Sequence, residues 1–547
     1  MPLQKNQVLT LQVERLSSDG SGVAHSPEGE TVFIPGAAPG DEARVRIVKD
    51  CKRYAFGILD EVLTPSPDRI PVDCAVAGPC GGCSLRHLDY AAELRAKQEN
   101  VADAFARIGG LDVPVLPIVG SPEIDRYRNK VQFPVGTDKA GHPCIGFYAG
   151  RTHRIVPCPD CRLQPGVLNE IGNTLCAFFA EKGIHPYNEE TGKGLIRHIF
   201  LRRGAHSGQI MVCLVSTRAK IPSAEELCTR LKEAFPDIVT ILLNVNAKNT
   251  NVILGSETHT LYGQGYIEDT LCGVPVQLGP LSFYQVNTLA AEQLYGIAAE
   301  YAQLTPDDLL LDLYCGMGTI GLSMADHCRE LVGVEIVPEA IESAKANAAR
   351  MGAAISAKSR FFCADAGQAA AQLAAEGLHP DVVMLDPPRK GCDEATLSAV
   401  VRMAPRRVVY VSCNPATAAR DAAWLEQNGY RTEKVQPVDL FPRTKHVETV
   451  CLLVLRNPVT HINIDVDVEE MVQDKRGLAT YGQIKDYVLE RSGLKVSSLY
   501  IAQVKQKHGI IECENYNKPK SEDAKQPQCP PEKERAITEA LKHFGMI

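Results

Sequence analysis

From residue 291 the chain alternates apolar runs with amphipathic ones, and this alternation constrains the fold more than any other feature. The runs LLLDLY, ELVGVEI, SRFFCADA, DVVMLDPP and RRVVYVSCNP are near-continuous apolar strands. A strand reads that way only when both of its faces are covered. Between the second and third runs lies PEAIESAKANAARMG, an amphipathic helix with Pro at its start and Gly at its end. Strand–helix alternation predicts a doubly wound, Rossmann-like parallel sheet over residues 291–457. Ligands of such sheets bind at the carboxyl ends of the strands. Those ends carry Tyr314 to Gly318, Glu335, Asp365, Asp386 and Cys413.

The rest of the chain predicts a multidomain α/β protein. Residues 1–66 read as short strands with glycine punctuation, the pattern of a small OB-like β-barrel. Residues 67–290 are mixed α+β and hold a group of cysteines; the early helix DYAAELRAKQENVADAFARI is expected to pack in part on the sheet domain. Residues 458–547 form a small helical C-terminal extension of unassigned role, interrupted by the polar linker NKPKSEDAKQPQCPPEKER. The net charge of −8 excludes a globally basic nucleic-acid binder, so any basic surface is local. MPLQKNQVLTLQVERL lacks the apolar core of an export signal, and no run approaches the ~18 apolar residues of a membrane span. The expectation is a cytoplasmic monomer with no membrane partner. In a reducing compartment, clustered cysteines among the 19 are metal ligands or catalysts rather than disulfides.

LLLDLYCGMGTIGL places a Gly-x-Gly turn between a strand and a helix. Glycines let the backbone approach a ligand, and the helix start offers free amides. Glu335 ends the next strand, 19 residues after Gly316, where a carboxylate can accept bonds from ribose hydroxyls. Asp365 ends the third strand and is a candidate for an adenine amine. D-x-x-C-G-x-G followed by an acidic second strand is what S-adenosylmethionine methyltransferases carry. The bland alternatives are a tight turn with no ligand and an NAD site. In DPPRKG, Arg389 stands where amine-methylating nucleic-acid enzymes usually have an aromatic residue, which argues against N-methylation.

Cys413 follows Ser412 at the end of an apolar run, and Asn414-Pro415 stops the strand there. The side chain is expected to face the ligand edge, although free Cys is also a common core residue. Uracil C5 methylation needs such a thiolate. Addition to C6 makes C5 nucleophilic, C5 takes the methyl, a base removes the C5 proton, and elimination frees the enzyme. Glu448 in HVETV opens a further apolar strand and is the candidate base, with His446 nearby to tune it; a salt-bridging carboxylate is the alternative.

A second group of cysteines lies upstream. Cys74, Cys80 and Cys83 are spaced C-x5-C-x2-C, and VPCPDCRLQP adds Cys158 and Cys161. Four thiolates suit an iron–sulfur cluster or zinc. Structural zinc prefers two C-x2–4-C pairs, and the first gap here is five. The segments DRYRNKVQF and RHIFLRRG place Arg126, Arg128, Lys130, Arg197, Arg202 and Arg203 among aromatic residues, a candidate RNA surface or a solvated strand face.

SFYQVN, LDLYCGMGTIGL, LDPPRKG, VSCNPAT and HVETV, in this order, resemble the RNA uracil-5-methyltransferase family. The resemblance implies S-adenosylmethionine as cofactor, Cys413 as nucleophile and Glu448 as C5 proton acceptor. It implies cofactor contacts at Gln285, Tyr314, Glu335 and Asp386, with Asp365 near the adenine. Some relatives have Asn where this chain has Thr319. GSGVAH, FIPGAAPGD and GILDEVL resemble a TRAM domain, an RNA-binding module. The ribosomal members of the family carry a [4Fe-4S] cluster on a similar cysteine pattern, which implies Cys74, Cys80, Cys83 and Cys161 as ligands, Cys158 competing for the fourth place. Together these imply C5 methylation of a uridine in 23S ribosomal RNA. The alternatives are a transfer-RNA uracil-5-methyltransferase and a non-catalytic RNA-binding assembly factor. Cytosine C5 enzymes usually carry Pro-Cys at the nucleophile, unlike Ser412-Cys413 here.

Overall fold

The computed structural model describes residues 3–150, 152–248, 250–456, 479–508, 510 and 529–547. The chain divides into two compact units, Met1–Pro458 and Val459–Ile547.

Five strands close the N-terminal barrel: Val8–Leu16, Ser21–His25, Thr31–Pro35, Glu42–Asp50 and Tyr54–Thr64. Alternate residues point inward, as a strand requires, and Leu11, Val13, Val32, Ile34, Val45 and Ile47 fill the interior. A register shift between Val13 and Arg15 breaks the pairing of the first strand with the second.

The central segment folds around a seven-stranded sheet. Its strands Lys130–Thr137, Ile196–Arg203, Ile210–Ser216 and Ile238–Val245 are covered on both sides. Ile199 and Leu201 face the helices Gly166–Glu181 and Ala224–Ala234, whereas Phe200 faces a core shared with the C-terminal sheet. This double burial corrects the expectation of a basic surface on Ile196–Arg203. Arg202 is buried and donates to the carbonyls of Gly279 (2.8 Å) and Ser282 (2.7 Å). Arg197 is buried and donates to the carbonyls of Asn246 and Lys248. Arg126 is a bidentate partner of Asp160 (2.6 and 2.9 Å).

The third layer is a seven-stranded sheet made of Leu309–Leu313, Glu330–Glu335, Ser359–Cys363, Val382–Leu385, Arg407–Ser412, Tyr430–Val438 and Glu448–Leu455. Across the sheet the order is third, second, first, fourth, fifth, seventh, sixth. The first five are parallel; the seventh is antiparallel to both neighbours. The helix Tyr90–Asp103 is tied to this sheet by a buried network. Lys97 donates to Glu93 and Asp439, both at 2.7 Å, and the Tyr90 hydroxyl donates to Asp439 at 2.9 Å. The Arg443 amide donates to Glu93 at 2.7 Å. Removing one partner would leave a buried charge uncompensated, so the network pins the 439–447 loop that leads into Glu448.

The second unit contains the helices Tyr481–Ser492, Ser498–Lys507 and Pro531–His543 around Ile484, Val488, Ile501, Val504, Ile537 and Leu541. The extension boundary at 458 and most of the expected polar linker lie outside the described residues. Among the described residues no helix is long and apolar enough to cross a membrane.

Candidate active site

The Gly-x-Gly turn is built by backbone geometry. Tyr314 holds a positive φ of 66°, with Gly316 at 55° and Gly318 at 79°. A non-glycine residue in this region costs energy and tends to mark a functional turn. Cβ on Gly318 would sit 3.1 Å from Leu322 and 3.2 Å from Ala344, so the turn closes tightly on its helix. The Gly316 amide donates to Glu335 (3.1 Å), whose other oxygen accepts from the Val337 amide (3.0 Å).

Carboxylates gather around this turn. Asp312 is buried; one oxygen accepts from the Gly321 amide at 3.0 Å, and the other has no partner. Burial, with the charges of Asp386 and Glu335 beside it, pushes its carboxyl up to about 8. Asp386 is pushed up to about 7 by burial. Asp312, Asp386 and Glu335 held this close to one another, with one Asp312 oxygen short of a partner, fit a cationic ligand. They suit S-adenosylmethionine, whose sulfonium and ammonium are both cations. Gln285 hydrogen-bonds Tyr295, whose hydroxyl lies 3.2 Å from that of the buried Thr319 and which feels the charge of Asp386. Gln285, Thr319 and Asp386 thus border one region. Asp365 is used differently: its carboxylate caps the helix Ala366–Ala375, accepting from the Gly367 and Gln368 amides at 3.1 Å.

Cys413 and Glu448 are brought together by register. Ser412 pairs with Thr449 across the antiparallel strands, so the next residues out are Cys413 and Glu448. Directly opposed residues of such a pair have Cβ atoms about 5 Å apart. The strand stops at Cys413 because Pro415 begins the helix Pro415–Gln427 and the Asn414 side chain caps it, accepting from the Ala416 amide at 3.2 Å. The Asn414 side-chain amide also donates to the Arg389 carbonyl at 3.0 Å, which ties the DPPRKG loop to the cysteine.

Electrostatics at this pair are adverse to charge. Burial pushes the Cys413 thiol up, and the charges of Glu448 and Asp386 add to it. The Arg389 guanidinium opposes them through its charge and a hydrogen bond to the thiol. Glu448 is buried and raised to about 8, first by burial and then by Asp386, with Arg389 again opposing. His446 was expected to tune Glu448, but the charged groups that act on Glu448 are Asp386 and Arg389. His446 itself is pushed down to about 4 by burial and by the cations Arg389 and Lys445, so it is neutral. Arg389 and Asp312 are the groups sequence reading did not place in the site; both lie in motifs it had singled out.

A cavity of about 430 Å³ opens onto Cys413. Its walls come from the barrel (Arg15, Ser18), the helix end (Asp103, Arg107, Ile108) and the loops beside Cys413 (Arg389, Lys445, His446).

The upstream cysteines approach one another. The thiol of Cys80 is raised by burial and by the charges of Cys161 and Cys74. That of Cys83 is raised to about 11 by burial, with Cys161 and Cys80 adding and Arg86 opposing. Cys158 shares a hydrogen bond with Cys161 that raises the first thiol and lowers the second. Among the described residues, however, no set of three or more Cys, His, Asp or Glu side chains is arranged as a metal site.

The strand order, the glycine turn and the acidic strand-end pocket define an S-adenosylmethionine-dependent methyltransferase. Comparison with known proteins narrows the class. Residues 277–456 match the family described as tRNA (Uracil-5-)-methyltransferase, and residues 2–59 match the TRAM domain. A protein of Halalkalibacterium halodurans described as an uncharacterized RNA methyltransferase is 44% identical over 457 residues, 83% of this chain and 99% of the relative. One from Clostridium tetani with the same description is 42% identical over 453 residues, 83% and 97% of the two chains. The structure of Pyrococcus abyssi tRNA (uracil-54, C5)-methyltransferase in complex with S-adenosyl-L-homocysteine is similar, with a TM-score of 0.64 and 27% identity over 82% of this chain and 100% of that one. The chain belongs to the RNA uracil-5-methyltransferase family.

Proposed function

We propose that the protein methylates C5 of a uridine in 23S ribosomal RNA through a covalent adduct between Cys413 and uracil C6. The observation that carries this reading is the opposition of Cys413 and Glu448 beside Arg389. The Cys413 thiolate adds to C6, and negative charge moves to C5 and O4, within reach of the Arg389 cation. Bound S-adenosylmethionine supplies the methyl group that C5 takes. Glu448 then accepts the C5 proton, the C6–S bond breaks and the thiolate is restored. Gln285, Tyr314, Glu335, Asp365 and Asp386, with Asp312, hold the cofactor, Asp365 through the carboxylate oxygen not used in capping. The barrel offers the ring cluster Phe33, Tyr54 and Phe56, with centroids 5.6–5.8 Å apart, as a stacking surface for RNA.

A [4Fe-4S] cluster on Cys74, Cys80, Cys83 and Cys161 belongs to the same reading. What supports it is the chemistry of the donors: thiols that raise one another through their charges are relieved when a metal takes the charge, although among the described residues they are not arranged as a metal site. Arg86 beside Cys83 offsets the negative charge of such a group. Its role is structural, and no step passes through it.

Transfer RNA is the second reading, favoured by the named substrate of the Pyrococcus abyssi enzyme. The test mixes 5-fluorouracil-substituted 23S ribosomal RNA or transfer RNA with S-adenosylmethionine and the protein. Fluorine cannot leave C5 as a proton, so the adduct is trapped. A denaturation-resistant complex with ribosomal RNA, absent in Cys413→Ala, is expected. Trapping with transfer RNA alone would move the substrate assignment. No adduct with either, from protein that binds S-adenosylmethionine, would overturn the mechanism.

A further inference from the structure

The helix Tyr90–Asp103 does not end where its hydrogen bonding first changes. It continues as a single wide turn of π-helix, Ala104–Gly109, before Gly110 at a φ of 63° closes it. Such turns are rare and tend to lie at functional sites. Here the turn buries Ala104 and Phe105 and turns Ala106, Arg107 and Ile108 outward.

Ile108 is 56% exposed, and it lines the same cavity as Cys413. At that exposure this branched aliphatic side chain contributes little to the core and stands free at the mouth of the cavity. Its position is held firmly. A Cβ on Gly109 would sit 3.0 Å from the Ala419 carbonyl, so the absent side chain lets the turn dock on the helix that follows Cys413. Ile108 and the nucleophile are therefore fixed to one rigid element.

Cations surround it. Arg107 pairs with Asp103 at 3.4 Å, and Arg15 of the barrel pairs with the same carboxylate. The register shift between Val13 and Arg15 lies where the barrel strand aims Arg15 at this cavity, a common use of a bulge. Lys445 meets the barrel turn at Gly20, where an added Cβ would lie 3.4 Å from the Lys445 Cβ. With Arg389, four cations and one carboxylate face the space in front of Cys413.

A uridine within folded RNA must leave its stack to reach a half-buried thiol at the end of a cavity, and the gap it leaves is apolar above and below. Proteins that distort nucleic acid commonly insert an aliphatic side chain into such a gap and hold the flanking phosphates with Arg and Lys. We propose that Ile108 is the wedge that enters the RNA stack in place of the extruded uridine, with Arg15, Arg107 and Lys445 holding the phosphates beside it. This rests on the reading of Cys413 as the site of uracil chemistry.

The test compares two RNAs carrying the mapped target uridine: a folded fragment, and a single-stranded oligomer of the same local sequence. Methyl transfer is measured as kcat/KM for the full-length protein, Ile108→Ala and Ile108→Leu. Ile108→Ala is expected to lose about tenfold on the folded fragment and less than about twofold on the oligomer, with Ile108→Leu restoring most of the loss. A 2-aminopurine beside the target should brighten when the wild-type protein binds and stay quenched with Ile108→Ala. Equal losses on both RNAs, or none on the folded one, would overturn the wedge. Failure of the wild-type protein on both RNAs would instead overturn the uracil chemistry itself.

Discussion

Two groups of cysteines sit in different electrostatic settings, and the contrast supports the different roles proposed for them. In both, burial drives the thiols up. At the strand end, Cys413 stands apart from other cysteines, with a carboxylate opposite and a guanidinium on its sulfur. In the central segment, Cys80, Cys83, Cys158 and Cys161 act on one another through charge and a shared hydrogen bond, and Arg86 also hydrogen-bonds Cys83. A lone thiol with a cation on one side and a base on the other suits one bond made and broken. Thiols that repel one another as thiolates suit a shared metal centre.

The sharpest way to break this comparison is Cys413→Ala. Methyl transfer measured with radiolabelled cofactor should fall by at least about a thousandfold, while iron content stays unchanged. If both fall together, the two sites are not separate. Glu448→Gln should cost about 10²- to 10⁴-fold in kcat and, unlike Cys413→Ala, should leave an RNA adduct that accumulates on gels. Asp312→Asn removes a buried carboxylate with one unpartnered oxygen, and calorimetry should show cofactor binding weakened about ten- to a hundredfold.

The cluster side is sharpened by a pair of variants: Cys161→Ser should lose the iron and sulfide taken up on anaerobic reconstitution, and Cys158→Ser should keep it. The reverse result would exchange the fourth ligand. The last test is in pH. The acting form of Glu448 is its carboxylate, which gains population as pH rises through about 8, and the raised Cys413 thiol ionises later still. Methyl transfer at saturating substrates should therefore climb by well over about tenfold from about pH 6 to about pH 9. Glu448→Gln should flatten the lower part of that rise.

The doubly wound sheet was legible because four of its five parallel strands are apolar on both faces, the edge strand Ser359–Cys363 being the exposed exception, and its helices are amphipathic; such patterns are local. The glycine turn and its acidic partner were legible for the same reason: Gly316 and Glu335 are joined by one strand–helix–strand step. The basic segment 197–203 misled, because sequence shows charge but not what covers it, and carbonyls of distant loops absorb Arg197 and Arg202. Asp365 and Asp386 look alike as acids at strand ends, yet one caps a helix and the other has its carboxyl raised by burial of its surroundings.

From the amino-acid order alone came the sheet, the barrel, the strand-end residues and the cysteine spacing, all set by periodicity and short-range chain geometry. Tertiary structure alone decided that Glu448 stands opposite Cys413, because that depends on an antiparallel strand inserting itself in one register among parallel ones. It also decided that Arg15 and Ile108, far from Cys413 in sequence, share its cavity. Contacts of this kind are made by packing between elements whose sequences carry no mark of their partners.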